Sequence, residues 1–348
     1  MDRDTLSDVL RSVRFRGAVF YDVRCDDDWV AEAPPAEVLA PAVMPGVDHL
    51  IEYHVATRGS CWAAIVGETP LRMGPGDVVL FPHGDAHVMS SAPGMRARPL
   101  DSQWVFATRG EPKPMPLRYS HDEATADAAV PSVDTRTRIV CGFIGCDLRP
   151  FNPLIAALPR LLHLPAVAGQ SWIALVIEQA IEESQRHRPG GDALLQRFSE
   201  MVFVDAVRRF VDTLPPDSRG WLAGLRDRHV GKALALMHAA PSRDWTVEAL
   251  AREAALSRSA LHERFSQVIG MAPMQYLANW RMQVAAGLLR GTSAGVAAIA
   301  LEVGYESEAA FSRAFRRQVG MPPAAWRRAD GDVSRPPPAA ATDPASPR

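Results

Sequence analysis

Two sets of residues in this 348-residue chain have the types and spacing to do chemistry. The first set recurs. Counting from Ser257, Leu261 stands at +4, Phe265 at +8 and Gly270 at +13, and counting from Ser307, Phe311, Phe315 and Gly320 stand at the same offsets. A serine in this place caps a helix, and apolar residues four apart share one helix face. Before each cap lies a short segment with small residues that can pack across the capped helix: Ala249, Ala251 and Ala255 in one copy, Ala298 and Ala300 in the other. Left facing outward at +2, +5 and +6 are Ser259, His262 and Glu263 in the first copy and Ala309, Ser312 and Arg313 in the second, with Glu308 beside them. A polar face of this kind enters the major groove of duplex DNA in a helix-turn-helix. Arg313 can pair bidentately with guanine O6 and N7, and Glu263 can accept from cytosine N4. A salt bridge of Glu263 to Arg264 or Arg258 is an equal alternative. Arg258, Ser307, Arg281, Arg316 and Arg317 suit phosphate oxygens, contacts that position without specifying. For Arg316 and Arg317 a solvated face also fits. Trp280 and Phe311 read as core.

The second set is His54, His87 and Cys141. His54 shares the parity of Glu52, so both point to one side of a strand. Two histidines and a thiol suit a closed zinc site or a softer transition metal. His54 as a satisfied barrel histidine, with Cys141 as a small buried apolar residue, fits as well. No cofactor is demanded by these residues; a metal ion is the one group they leave open. Cys141 and Cys146 fall on opposite faces of an unbroken strand, so a disulfide between them needs a bend.

Elements must hold these groups. Residues 15–150 are β-rich, with apolar runs at Cys61–Val66, Val78–Phe81, Trp104–Ala107 and Ile139–Ile144 between Gly, Pro and Asp turns. That spacing predicts a sandwich or barrel. Residues 152–213 change to helical period, through Leu154, Ile155, Leu158, Leu161 and Leu162, then Trp172 to Ala180, then Leu194 to Val207. Asp192 is the expected N-cap of the last of these. A helical hairpin there can pack on the β region, form a dimer interface, or both. Residues 214–220 read as a linker. Residues 274–291 form one long amphipathic helix, a rod able to hold two reading heads near the ~34 Å that separates major grooves on one side of B-DNA. The Pro/Ala-rich tail, 329–348, lacks apolar bulk and is expected to be disordered.

Composition sets outer limits. A hydrophobic fraction of 47% and a charged fraction of 22% are ordinary for a globular protein. No apolar run reaches the ~20 residues of a spanning helix. The first residues do not read as a signal peptide, and four scattered cysteines make no disulfide framework, so a cytoplasmic protein is expected. The net charge of −2 hides an asymmetry: residues 226–328 hold 14 Lys+Arg against 8 Asp+Glu, a net of +6. A basic module on an acidic body suits a polyanionic partner.

At LAREAALSRSALHERF, PMQYLANWRMQVAAGLLR and IALEVGYESEAAFSRAFRRQVGMPPAAWRR, residues 226–328 resemble the AraC/XylS DNA-binding domain nearly end to end. The segment GPGDVVLFPHGDAH (74–87) resembles a cupin second motif, and YHVATRGSCW and CGFIGCDLRPFNPLIAALPRLLHL resemble the cupin-type sensors fused to such heads. The first cupin motif departs from the pattern. Glu52 stands seven before Gly59, but the His-x-His pair before it is missing. The resemblance implies a multidomain chain: an all-β cupin-like sensor barrel at 1–150, a helical linker and dimerisation region at 151–220, and an all-α double helix-turn-helix domain at 226–328 that reads two adjacent major grooves. It implies a homodimeric transcription factor, an activator by family default, with promoter DNA and RNA polymerase as partners and a small-molecule or ion effector in the barrel. Because the His-x-His ligands are absent, no catalytic residue is expected. A cupin enzyme carrying a regulatory head and a constitutive DNA binder are the competing readings. The aromatic residues Trp62, Phe81 and Trp104 hint at an uncharged ligand.

Overall fold

A computed structural model describes residues 4–333, apart from 14, 109–114, 122, 127–135 and most of 167–188. The N-terminal part is a curled, cupin-like β half-barrel. Its spine is β1 (Arg16–Ala33), 18 residues long. The first half of β1 pairs antiparallel with β9 (Thr137–Cys146) and parallel with β7 (Met115–His121). Its second half pairs antiparallel with β6 (His87–Ser90). Register shifts between Val19 and Tyr21 and between Cys25 and Trp29 bend the strand, which lets one strand serve two differently oriented parts of the sheet. On one side of β9 follow β2 (His49–Arg58), β5 (Val78–Phe81) and β10 (Leu162–Leu164); on the far side of β6 follow β3 (Cys61–Ile65) and β4 (Leu71–Met73). β8 (Glu123–Ala126) pairs with β7.

Both faces of this sheet are covered, so β2, β5, β6 and β9 are buried at nearly every position. Alternate residues part to two cores. Ile51, Tyr53, Val55, Val140, Ile144 and Cys146 join the core beneath the helices. Ala56, Val79, Phe81, Ile139 and Phe143 line the barrel interior, with Cys141 packed against them. β9 is unbroken between Cys141 and Cys146, so the two thiols lie on opposite faces of the sheet and cannot pair. Gly142 is required here: a Cβ would stand 2.2 Å from the Tyr53 ring, which crosses it so that its hydroxyl meets Ser199 Oγ at 2.8 Å. Ser199 lies on α5 (Gly191–Thr213), which packs on β1, β9 and β10. The helical region therefore packs on the barrel through Leu195, Val202, Phe203, Ala206 and Val207.

Four local expectations need correction. Trp104–Ala107 is not a strand but part of α3 (Ser102–Ala107), capped by Asp101; an Asp N-cap outweighs a short aromatic run. Only α4 (Pro153–Ala157) is helical before the chain extends again, and Leu162 pairs with Leu80 in β10. α5 starts at Gly191, capped by Gly190 at φ 89°, not at Asp192. The final helix runs to Val333, four residues beyond the start of the expected disordered tail. The Trp172–Ala180 stretch, with the first arm of the expected hairpin, and residues 334–348 lie for the most part or wholly outside the described residues.

The C-terminal part is helical. After α6 (Trp221–Arg226) come α7 (Arg228–Ala239), α8 (Val247–Glu253), α9 (Arg258–Ile269), α10 (Pro273–Gly291), α11 (Val296–Glu302), α12 (Glu308–Val319) and α13 (Pro323–Val333). An N-terminal helix, α1 (Thr5–Ser12), capped by Asp4, leaves the barrel and packs on α7 and α10. The two heads differ in how they are rooted. The first, α8–α9, shares one apolar core with the barrel's outer face, α1, α5 and α6. The second, α11–α12, has its own core of Met282, Leu289, Ile299, Phe311, Phe315 and Trp326.

Candidate nucleic-acid interface and barrel site

Each head is built the same way. Ser257 and Ser307 accept from the backbone N–H groups of Ala260 and Ala310 at 3.2 Å, and both second helices end on a left-handed glycine, Gly270 or Gly320. Leu261 and Phe265 are buried in the first head, and Phe311 and Phe315 in the second. Ala251 and Ala300 are the small residues at each helix crossing. Ala249 is half-buried, and Ala298 is exposed and takes no part. Ala255 also falls outside the crossing, in the turn. Leu256 N–H donates to Ala251 O, as Tyr305 N–H donates to Ala300 O, so Ala255 corresponds to Gly304 and the second turn has one extra residue. Both adopt positive φ, 55° for Ala255 and 83° for Gly304. An L-residue in that region costs roughly 1–2 kcal/mol. Ala255→Gly is therefore expected to stabilise the protein by about 0.5–1 kcal/mol in a urea melt. Gly304→Ala would place a Cβ 2.7 Å from Ser242 O and should destabilise.

The outward faces carry the expected groups. Ser259, His262 and Glu263 are exposed on α9, and Ala309, Arg313, Arg316 and Arg317 on α12, with Glu308 at its start; Ser312 is half-buried. Glu263 accepts from Gln267 Nε2 at 3.2 Å. Neither proposed salt bridge to Glu263 is made, because Arg264 pairs with Asp227 at 2.7 Å and Arg258 with Glu248 at 2.8 Å. Arg281 is the correction on this surface. Its guanidinium donates to three backbone carbonyls, Pro241, Arg243 and Gly304, and so ties the turn of the second head to the loop before the first. Half-buried and committed to carbonyls, it is an internal strut, not a phosphate contact. α10 has 19 residues, about 28 Å of rod at 1.5 Å per residue.

In the barrel, β2 and β6 bring three groups together. One ligand atom from each of Glu52, His54 and His87 lies within 4.8 Å of the other two. All three are buried. His87 Nδ1 lies 3.0 Å from Asp85 O, a carbonyl that can only accept, so that nitrogen carries the proton and Nε2 presents a lone pair. His54 Nε2 lies 2.7 Å from His87 Nε2 and donates to it. His54 Nδ1 then accepts from the Cys141 thiol at 2.9 Å. Burial holds this relay neutral. It pushes His87 down to about 4 and, with His87 beside it, His54 well below its usual range. It pushes the Cys141 thiol well up, with Glu52 adding to the effect. Glu52 is raised to about 8 by burial alone, and its Oε1 has no hydrogen-bond partner among the described residues.

Cys141 was expected to share a site directly with His54 and His87. Instead its sulfur sits behind the His54 ring, against Nδ1, while Glu52 occupies the third position beside the two Nε2 atoms. Parity alone places Glu52 and His54 together; the depth of Cys141 is set by the register of β9 against β2, a non-local fact. The cavity around these groups is about 70 Å³, walled by Tyr21, Trp29, Tyr119 and Phe143. Phe81 stacks on His87 at 3.8 Å between centroids. Trp62 and Trp104 do not line it.

A double helix-turn-helix joined to a cupin-like barrel defines a DNA-binding transcription regulator. A family model described as a cupin matches residues 4–212, and one described as a helix-turn-helix domain matches 250–329. An AraC-like transcription regulator of Streptomyces lividans is 30% identical over 93% of this chain and 98% of its own length. The HTH-type transcriptional regulator AlkR of Acinetobacter baylyi is 27% identical over 93% of this chain and 99% of its own. The solved DNA-binding domain of AdpA in complex with a target DNA is 33% identical over 30% of this chain and 93% of that one, with a TM-score of 0.29. The chain belongs to the AraC family of transcription regulators, in the branch with a cupin N-terminal domain. Among the described residues no helix is long and apolar enough to cross a membrane.

Proposed function

We propose that the protein is a cytoplasmic, effector-responsive transcription activator that reads two adjacent major grooves and responds to a metal ion held by Glu52, His54 and His87. The observation that carries the effector half is the buried Glu52 carboxyl. A polar atom left without a partner in a dry site costs roughly 1–3 kcal/mol; here that atom is Oε1, and the other oxygen of the same carboxyl, Oε2, lies 3.8 Å from His87 Nε2. The donor set fits a zinc-like ion: two nitrogens, one oxygen and a fourth position for water. His87 already has the outer hydrogen bond to a carbonyl that orients metal-binding imidazoles. Glu52, His54 and His87 would hold the ion, His54 through Nε2 with its Nδ1–H then toward Cys141, and the ion would supply a charge to the buried carboxyl. The small cavity favours an ion over an organic effector, whose pockets run to roughly 300–1,000 Å³.

The His-x-His ligands of catalytic cupins are absent, which supports regulation over turnover. Leu194 and Met201, exposed and one heptad apart on α5, support a homodimer through that face. RNA polymerase is the partner an activator requires. Purified protein is expected to hold close to one equivalent of metal per chain by elemental analysis, and His87→Ala to lose it at least tenfold. Chelation should change DNA affinity. Metal-free protein with unchanged DNA affinity on adding zinc would remove the effector half of this reading and leave the DNA-binding half standing.

A further inference from the structure

We propose that the hydrogen bond between Tyr53 and Ser199 is the contact through which the state of the barrel site reaches α5; this rests on the reading of Glu52, His54 and His87 as metal ligands. The site lies inside the barrel and α5 outside it, so the direct connection runs through the sheet. Side chains alternate between the two faces of a strand. Tyr53 stands between Glu52 and His54 on β2 and points the other way, into the core beneath the helices. Across from them on β9, Cys141 pairs with His54, Gly142 with Tyr53 and Phe143 with Glu52. These cross-strand pairs carry the site on one face and the tyrosine on the other.

The polar pair is specified by its surroundings. Tyr53 and Ser199 are fully buried, in a core they share with Ile51, Val140, Ile144, Leu195 and Val202. Phenylalanine and alanine would pack there with no polar atom to satisfy. Ser199 Oγ donates to Leu195 O at 3.1 Å, so the Tyr53 hydroxyl gives its hydrogen to Ser199 at 2.8 Å, and both donors are satisfied. Two strand glycines make room for the pair. Gly142 lies under the Tyr53 ring. Gly17, on β1, receives Ser199: a Cβ there would collide with the serine Cβ and stand 2.7 Å from Gln196 O. Neither has a positive φ, so neither is needed for a turn. Glycine weakens a strand, and a close approach of another element is what its presence marks here. A buried, satisfied polar pair fixes one arrangement of the elements it joins.

That arrangement sets the site and the helical part together. It holds β2 where Glu52 and His54 bring ligand atoms within 4.8 Å of His87. At the far end of α5, Arg226, the last residue of α6, donates to Val211 O at 3.1 Å and to Leu214 O. The seat of α5 thus fixes where the helical part begins. The two states are α5 seated and α5 locally opened. An ion that prefers the assembled site favours the seated state, and by reciprocity the hydrogen bond tightens the hold on the ion.

Hydrogen exchange on the full chain with and without zinc, beside zinc titration against a chromophoric chelator, tests this. Tyr53→Phe removes one hydroxyl and leaves Ser199 its bond to Leu195, so the fold is kept. In the parent, zinc is expected to slow exchange in both β2 and α5. Tyr53→Phe should bind zinc roughly fivefold more weakly or worse, the lower end of a coupling between sites, and at saturation zinc should protect β2 but no longer α5. Ser199→Ala breaks the same bond from the helix side and should act alike. Equal zinc affinity in parent and variants, or zinc protection of α5 that survives in them, overturns the coupling and leaves the metal site standing. A parent that binds no zinc overturns both.

Discussion

Arg290→Ala is expected to cost about 3 kcal/mol of unfolding free energy, the low end of the range for breaking a buried ion pair. Arg290 and Asp147 are 10% and 11% exposed and 3.1 Å apart. Asp147 follows directly on β9, the strand that carries Cys141, and Arg290 ends the rod between the two heads. The guanidinium also lies 3.8 Å over the Trp326 ring, in the core of the second head. One side chain thus joins the sensor to the part of the molecule that has its own separate core. Its removal leaves the buried Asp147 carboxylate without that guanidinium and Trp326 without its cover. Lysine restores the charge but not the stacked plane, so Arg290→Lys should recover only part of the loss. Urea melts read both. A loss under about 1 kcal/mol would place the pair among the weak, screened contacts of a surface.

Arg313→Ala is expected to cost about 1–3 kcal/mol of DNA binding, roughly 5- to 150-fold in affinity, and to relax the preference at one base pair. Arg313 is exposed on the outward face of α12, opposite buried Phe311 and Phe315, and no salt bridge to a carboxylate is shown for it. Arg316→Ala should weaken all sequences alike and reduce the salt slope by about one. Arg258 is already paired with Glu248, so its loss should matter less than either. Binding isotherms on cognate and single-substituted duplexes at several salt concentrations separate these cases. Intact preference in Arg313→Ala would mean that α12 is docked in another rotation.

The heads were legible in the sequence because their determinants are local. A serine cap, apolar residues at fixed offsets and a terminal glycine fix each second helix without reference to anything distant. The exposed faces follow from the same count. Failures came where a distant partner decides. Arg281 looks like any exposed arginine on an amphipathic helix until the fold brings Pro241, Arg243 and Gly304 carbonyls around it. Leu162–Leu164 carries a helical period but is captured as an edge strand by β5. In the barrel, parity placed Glu52 beside His54, yet only the pairing of β9 with β2 puts the Cys141 sulfur behind the imidazole. The Asp147–Arg290 pair, 143 residues apart, left no mark in the sequence at all.

The two-headed reading surface is tested most directly by selecting bound sequences from random duplex DNA with the full-length protein. Two distinct half-sites are expected at one fixed spacing of about 10–10.5 base pairs, with a guanine in the half-site that Arg313→Ala degrades. A single half-site, or two with no fixed spacing, would contradict it.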